Sequence, residues 1–129
     1  MTKNSELYQI KEKEIRDSRI KEIQNFIRSK SFSSLMNNHK WFRIFELIEE
    51  HQAEFELKTL LSAKIRKAKS IIELEKSSIL IDNSGEFIEF LELEQITLKN
   101  ISELKYRLDK LNVDFYEELD TIRIQGYRK

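Results

Sequence analysis

Residues 39–61 read HKWFRIFELIEEHQAEFELKTLL, and the hydrophobic period changes partway along them. Up to His51 the apolar residues recur at helical spacing. Trp41, Phe42, Phe45 and Ile48 fall at i, i+1, i+4 and i+7, with Ile44 and Leu47 beside them, which predicts a helix over about 39–51. From Glu54 the period is two. Phe55, Leu57, Thr59 and Leu61 alternate with Glu54, Glu56, Lys58 and Leu60, as in a half-buried strand. A helix with so broad an apolar face, followed at once by a strand, predicts packing of helix on sheet.

Upstream, residues 31–38 carry Ser31, Ser33, Ser34, Asn37 and Asn38, short polar side chains that favour turns and helix caps. Asn38 is the expected N-cap of the helix. Residues 5–29 predict an earlier helix in which Leu7, Ile10, Ile20, Ile23 and Ile27 are sparse apolar positions among interleaved Lys, Arg and Glu. It is either docked along one narrow stripe or a partly mobile arm, and the same stripe could pair with a second copy of the chain. No a/d heptad runs unbroken for three repeats, so a long coiled coil is not supported.

Downstream, residues 62–76 are compatible with either helix or strand: Leu61, Ile65, Ala68 and Ile72 keep helical spacing, while Ser70 to Leu74 also suits a strand. Ile79-Leu80-Ile81, then Asp82-Asn83-Ser84-Gly85, then Phe87 to Leu93 predicts a hairpin around a glycine-containing turn, although Phe87, Phe90 and Leu91 would also share a helical face. Ile101, Leu104, Leu108 and Leu111 mark a last amphipathic helix ending near Asn112. Residues 113–118 and 122–125 predict a second hairpin. The expected fold is α+β: an antiparallel sheet of about four to five strands with helices on one face, preceded by a charged helix. That divides the chain into a charged amphipathic helix or arm, 1–30, and a single α+β domain, 31–129.

Composition narrows the chemistry. The 129 residues carry 23 Lys and Arg against 23 Asp and Glu, so no global field draws the chain to nucleic acid or an anionic membrane. Without cysteine there are no disulfides or thiolate sites, and with no apolar run near bilayer length or signal-like start the expected location is cytoplasmic. Two glycines, Gly85 and Gly126, cannot build a phosphate-cradling loop or a dinucleotide fingerprint. His51 and Glu54 stand at i, i+3, but His39 is twelve residues from His51, so one helix cannot bring both imidazoles to one metal ion. The carboxylates of residues 86–94 and 117–120 lack a neighbouring histidine, and no serine occupies a glycine-flanked elbow. The expectation is a protein that is not an enzyme and needs no cofactor or metal.

Two motifs look familiar together. SLMNNHKW, residues 34–41, resembles the MNN-x-KW signature of a small uncharacterised bacterial family, a domain of unknown function. IRIQGY, residues 122–127, resembles that family's terminal strand. Residues 87–93, FIEFLEL, are similar to its central IEWLEI segment, with Phe90 in place of Trp. The resemblance covers about residues 33–128, with residues 62–80 departing from the pattern, and it implies a shared fold. Chains of this kind occur as immunity proteins beside bacterial toxins, so the expected function is protein binding, with toxin neutralisation by occlusion as its concrete form. Expected contact residues are Asn37, Asn38, Lys40 and Trp41, with Glu89 and Glu92 on an exposed acidic strand, although Asn38 as a cap and Trp41 as a core anchor is the favoured reading of that cluster, since one Trp on an apolar face is usually core. The alternative is a nucleic-acid-associated protein using Lys64, Arg66, Lys67 and Lys69.

Overall fold

The computed structural model describes residues 3–51, 54–69 and 75–129. It has an α+β fold whose described elements include three α-helices and a five-stranded antiparallel sheet. The helices are α1 (Lys3–Lys30), α2 (Asn38–His51) and α3 (Ser102–Lys110). The strands are β1 (Ser33–Ser34), β2 (Glu54–Thr59), β3 (Arg66–Lys69), β4 (Ile79–Ile81), β5 (Phe87–Glu89), β6 (Leu93–Lys99), β7 (Phe115–Glu117), β8 (Thr121–Gln125) and β9 (Tyr127–Arg128). The main sheet runs β3-β2-β6-β8-β7, while β4 pairs only with β5 and β1 only with β9.

Side-chain and backbone caps end the helices without glycine or proline. At the end of α1, Ser31 adopts φ +55°, its N–H donates to Arg28 O at 3.2 Å, and the Phe32 N–H donates to Ile27 O at 3.1 Å. The same arrangement closes α3, where Asn112 has φ +57° and the Asn112 and Val113 N–H groups donate to Asp109 O and Leu108 O. Asn37, not Asn38, caps α2: its Oδ1 accepts the Lys40 N–H at 2.7 Å, leaving Asn38 in the first turn.

One face of the sheet forms the core. Trp41, Ile44, Phe45 and Ile48 of α2, with Leu104 and Leu108 of α3, bury Phe55, Leu57, Ile96, Leu98, Ile122 and Ile124. Phe45 lies at the centre, its ring 5.7 Å from Trp41, 5.2 Å from Phe55 and 5.1 Å from Phe90. The predicted alternation of β2 holds to Thr59. There the strand ends, so Leu60 turns inward and Leu61 is exposed, the reverse of the expected phase.

One expectation needs correcting, and two alternatives left open by the sequence are resolved in the described residues. Of residues 62–76, Arg66–Lys69 is a strand, while the reading of Ser70 to Leu74 lies outside the described residues. Residues 87–93 are not one strand. β5 stops at Glu89, a 3-10 turn over Phe90–Glu92 redirects the chain, and Leu93 begins β6, the centre of the main sheet. Glu92 Oε2 accepts the Glu89 N–H at 3.2 Å across this turn, while the Phe90 N–H still donates to Ser78 O at 3.0 Å. Of the two readings of α1, the docked one describes its later half: Ile23, Phe26 and Ile27 pack with Phe32, Leu60, Leu91 and Tyr127 in a second, smaller apolar cluster. Burial pushes the Tyr127 hydroxyl up to about 12, and it donates to Leu91 O at 2.5 Å.

Gly126 joins these two cores. Its N–H donates to Glu94 O at 2.8 Å and its carbonyl accepts the Leu35 N–H at 3.0 Å, drawing the backbone against β6. A Cβ there would overlap the Leu93 carbonyl and crowd Trp41 Cζ2. Gly126→Ala should therefore cost about 2 kcal/mol or more in denaturant unfolding. Gly85→Ala, at φ +92° but in open space, should cost only about 1 kcal/mol. A smaller loss at Gly126 than at Gly85 would refute the close approach.

The β4–β5 turn gives a pH-dependent expectation. Asp82 Oδ1 accepts the Ser84 N–H, the Ser84 hydroxyl and the Glu86 N–H at 2.9, 2.6 and 2.9 Å. Burial pushes this carboxyl up, but those donors and Arg66, at 3.6 Å, outweigh it and hold it below its ordinary value. A lowered folded value means that the stabilisation is complete above the unfolded pKa and is lost as pH falls through the folded one. Between about pH 4 and pH 2 the wild-type chain should lose stability more steeply than Asp82→Asn. Parallel unfolding curves for the two would show that Asp82 contributes nothing in acid.

Candidate functional site

The residues expected to meet a partner are mostly engaged within the fold. Asn37 caps α2, and Trp41 is buried, stacked on Phe45. Lys40 Nζ donates to Asn112 O at 3.0 Å, fastening the start of α2 to the end of α3. Asn38 is exposed beside a depression of about 260 Å³ that Trp41, Leu91 and Tyr127 also line. Trp41 is thus a core anchor, and the polar cluster around it chiefly joins two helices.

Glu89 and Glu92 are corrected more sharply. They are buried, Glu92 to 2% exposure, and face α1. Arg16 grips Glu89 through Nε and Nη2 at 2.9–3.1 Å, and its Nη2 also donates to Ser77 O at 3.2 Å. Arg19 grips Glu92 through Nε at 2.9 Å and Nη2 at 2.7 Å. Hydrogen bonding to these carboxylates raises both guanidinium pKa values against the opposing effect of burial. Glu89 and Glu92 each have a forked cation to compensate their removal from water. Helical spacing offered the missing signal: residues 12, 16, 19, 23 and 26 share one face of α1, so Arg16 and Arg19 continue the apolar docking stripe of Ile23 and Phe26.

The basic segment is also divided. Arg66 turns toward the β4–β5 turn, 2.7 Å from Glu86 and 3.6 Å from Asp82, whereas Lys67 and Lys69 face away from the core and Lys64 lies in the preceding loop. Lys67 and Lys69 instead join an arrangement invisible in their own segment. The pairing registers place Lys67, Glu56, Thr97, Arg123 and Tyr116 opposite one another in turn, a row crossing all five strands. Lys69 and Glu54 form a second, shorter row, with Lys58 on β2 and Lys99 on β6 pointing the same way. This is the sheet face turned away from α2 and α3, and no described element packs over it.

The open face is polar and net positive: Lys58, Lys67, Lys69, Lys99 and Arg123 outnumber Glu54 and Glu56. Lys58 reaches the bulged Glu94 at 3.5 Å and Arg123 reaches Glu118 at 2.6 Å. Lys67, Lys69 and Lys99 have no ion-pair partner among the described residues. Tyr116 is the exposed aromatic side chain of the row. Among the described residues no group of three or more His, Asp or Glu could hold a metal ion. No described helix is long and apolar enough to cross a membrane.

The Arg–Glu pairs predict a measurable coupling. Arg19→Ala, which leaves Glu92 buried without its cation, should cost about 2 kcal/mol, below the 3–5 kcal/mol of a fully buried pair because Arg19 is 44% exposed. In a double-mutant cycle with Glu92→Ala the two losses should fall short of additivity by about 1 kcal/mol. Strict additivity in urea unfolding would mean that the pair does not hold α1 in place.

Comparison with protein-family models, with curated proteins and with solved structures found no match to this chain, so its functional reading rests on the geometry of these surfaces.

Proposed function

We propose that the chain is a non-enzymatic protein-binding domain that uses the open face of its main sheet, in its most concrete form an immunity protein that occludes a toxin. The observation supporting this is the row Lys67-Glu56-Thr97-Arg123-Tyr116 together with the unpaired Lys69 and Lys99. Strands braced from behind by α2 and α3 hold the backbones of these residues at fixed spacings, so binding has to order side chains but not main chain. The excess of cations suits an acidic partner surface, and Tyr116 at the end of the row supplies the kind of rigid aromatic contact on which interfaces concentrate their energy.

The same cations are the remaining basis for a nucleic-acid reading. Sequence-tolerant nucleic-acid surfaces interleave cations with several stacking aromatics. Here Glu54 and Glu56 alternate with the lysines, and Tyr116 is the aromatic of the row, which favours a protein partner.

The test is capture on immobilised chain from nuclease-treated host lysate, beside the triple reversal Lys67→Glu, Lys69→Glu, Lys99→Glu. The expected result is one stoichiometric protein held by the wild type and weakened at least tenfold by the triple variant, whose unfolding midpoint stays unchanged because all three positions are exposed. Retention of that protein by the triple variant would move the interface off this face. Loss of all bound material on nuclease treatment would replace the reading with nucleic-acid association.

A further inference from the structure

The main sheet has two edges, and the fold closes one of them. At β3 the β4–β5 turn covers the outer side: Asp82 bridges Ala68, and the Asn83 N–H donates to Lys67 O at 2.8 Å. The other edge is β7, and no described strand pairs with its outer side. The register identifies the groups left over. The Glu118 N–H donates to Thr121 O at 2.9 Å and Tyr116 lies opposite Arg123, so Tyr116 and Glu118 direct their backbone groups to β8. Phe115 and Glu117, which alternate with them, direct N–H and C=O away from the sheet.

The start of β7 borders a cleft of about 700 Å³. It lies where β8 passes through Gly126 into β9, which leaves the main sheet to pair with β1. Leu35, Phe115 and Tyr127 supply apolar walls, and Asp114, Arg128 and Lys129 supply charge. Lys129 is held by Glu94, whereas Arg128 has no ion-pair partner among the described residues. Tyr116 lines the same cleft and also ends the row of the open face. The two surfaces are therefore continuous.

These features select one kind of occupant. Outward N–H and C=O groups on a strand are satisfied in series only by another backbone in extended conformation. Spare positive charge beside the edge, at Arg128 and over the open face, favours an acidic segment over a basic one. A second copy of β7 fits poorly. Antiparallel pairing about Tyr116 would set Asp114 of one copy opposite Glu118 of the other, like charge on like.

We propose that the partner adds an extended acidic segment to β7 as a sixth strand of the main sheet, bonded to the backbone of Phe115 and Glu117 and carrying a carboxylate to Arg128. This rests on the reading of the chain as a protein-binding domain and names the mode of contact.

The probe is the protein eluted from immobilised wild-type chain, purified and titrated against each variant. Glu117→Pro removes an outward N–H but no bond to β8, while Glu117→Ala removes the side chain that pairs with Lys105 and keeps that N–H. The proline variant should bind at least tenfold more weakly than the alanine variant. Arg128→Glu should also weaken binding at least tenfold with an unchanged unfolding midpoint, because Arg128 is exposed. Amide exchange followed by NMR on the wild type needs no substitution, and it decides by itself if the proline variant does not fold. In the free chain Tyr116 should exchange slowly and Phe115 and Glu117 fast; the complex should slow the latter two at least tenfold. Unchanged exchange at Phe115 and Glu117 in the complex would overturn the inference, as would equal affinity of folded Glu117→Pro and Glu117→Ala. Sensitivity to the triple lysine reversal would then keep the protein-binding reading and confine the contact to the sheet face. A chain that captures no protein would remove both.

Discussion

Glu89 and Glu92 are among the carboxylates this molecule keeps out of water, and the position of the first helix follows from these two. An ionised carboxylate in a buried site costs several kcal/mol unless a cation and donors compensate it. Glu89 and Glu92 become buried because the chain leaves the β4–β5 ribbon, makes a single 3-10 turn and enters the centre of the main sheet. Arg16 and Arg19, one helical turn apart, meet them in forked geometry. Once α1 is held at those points, Ile23, Phe26 and Ile27 fall onto Leu60, Leu91 and Tyr127, and the second apolar cluster closes. A groove beside Phe87 exists for the same reason, since α1 forms one of its walls.

The main sheet has one packed face and one open, charged face. Its inner face is continuous with α2 and α3 through Phe45, Leu57, Ile96 and Ile124, so its strands are rigid regardless of what the outer face carries. The outer face is then free to hold charges in register. Substitutions there change the surface without opening the core. The polar cluster at residues 37–41 belongs to the opposite category. Asn37, Lys40 and Trp41 spend their polar and apolar groups on joining α2 to α3 and to the core.

Much of the secondary structure is legible in local pattern. The change of period at Glu54, the apolar face from Trp41 to Ile48, the turn at Asp82 to Gly85 and the helix ending near Asn112 all rest on neighbours within a few residues. What was missed has a common cause. β6 is the central strand, yet Glu92 and Glu94 at its start resemble the acidic run before them, and only the alternation of Ile96 and Leu98 with Gln95 and Thr97 marks it. Glu89 and Glu92 look like solvated charges because nothing nearby in sequence compensates them. Their partners lie 73 residues away.

Sequence alone determined the fold class, the helix-on-sheet layering and the balance of charge, because periodicity and composition act through contacts along the chain or through sums over it. Tertiary structure alone decided which charges are buried and which are presented. Arg16 and Arg19 read as surface residues until α1 lies against the 3-10 turn. Lys67, Glu56, Thr97, Arg123 and Tyr116 form no row until four strand registers are set. The solvation of an ionic side chain depends on what the fold brings to it from far along the chain, and a local pattern does not carry that information.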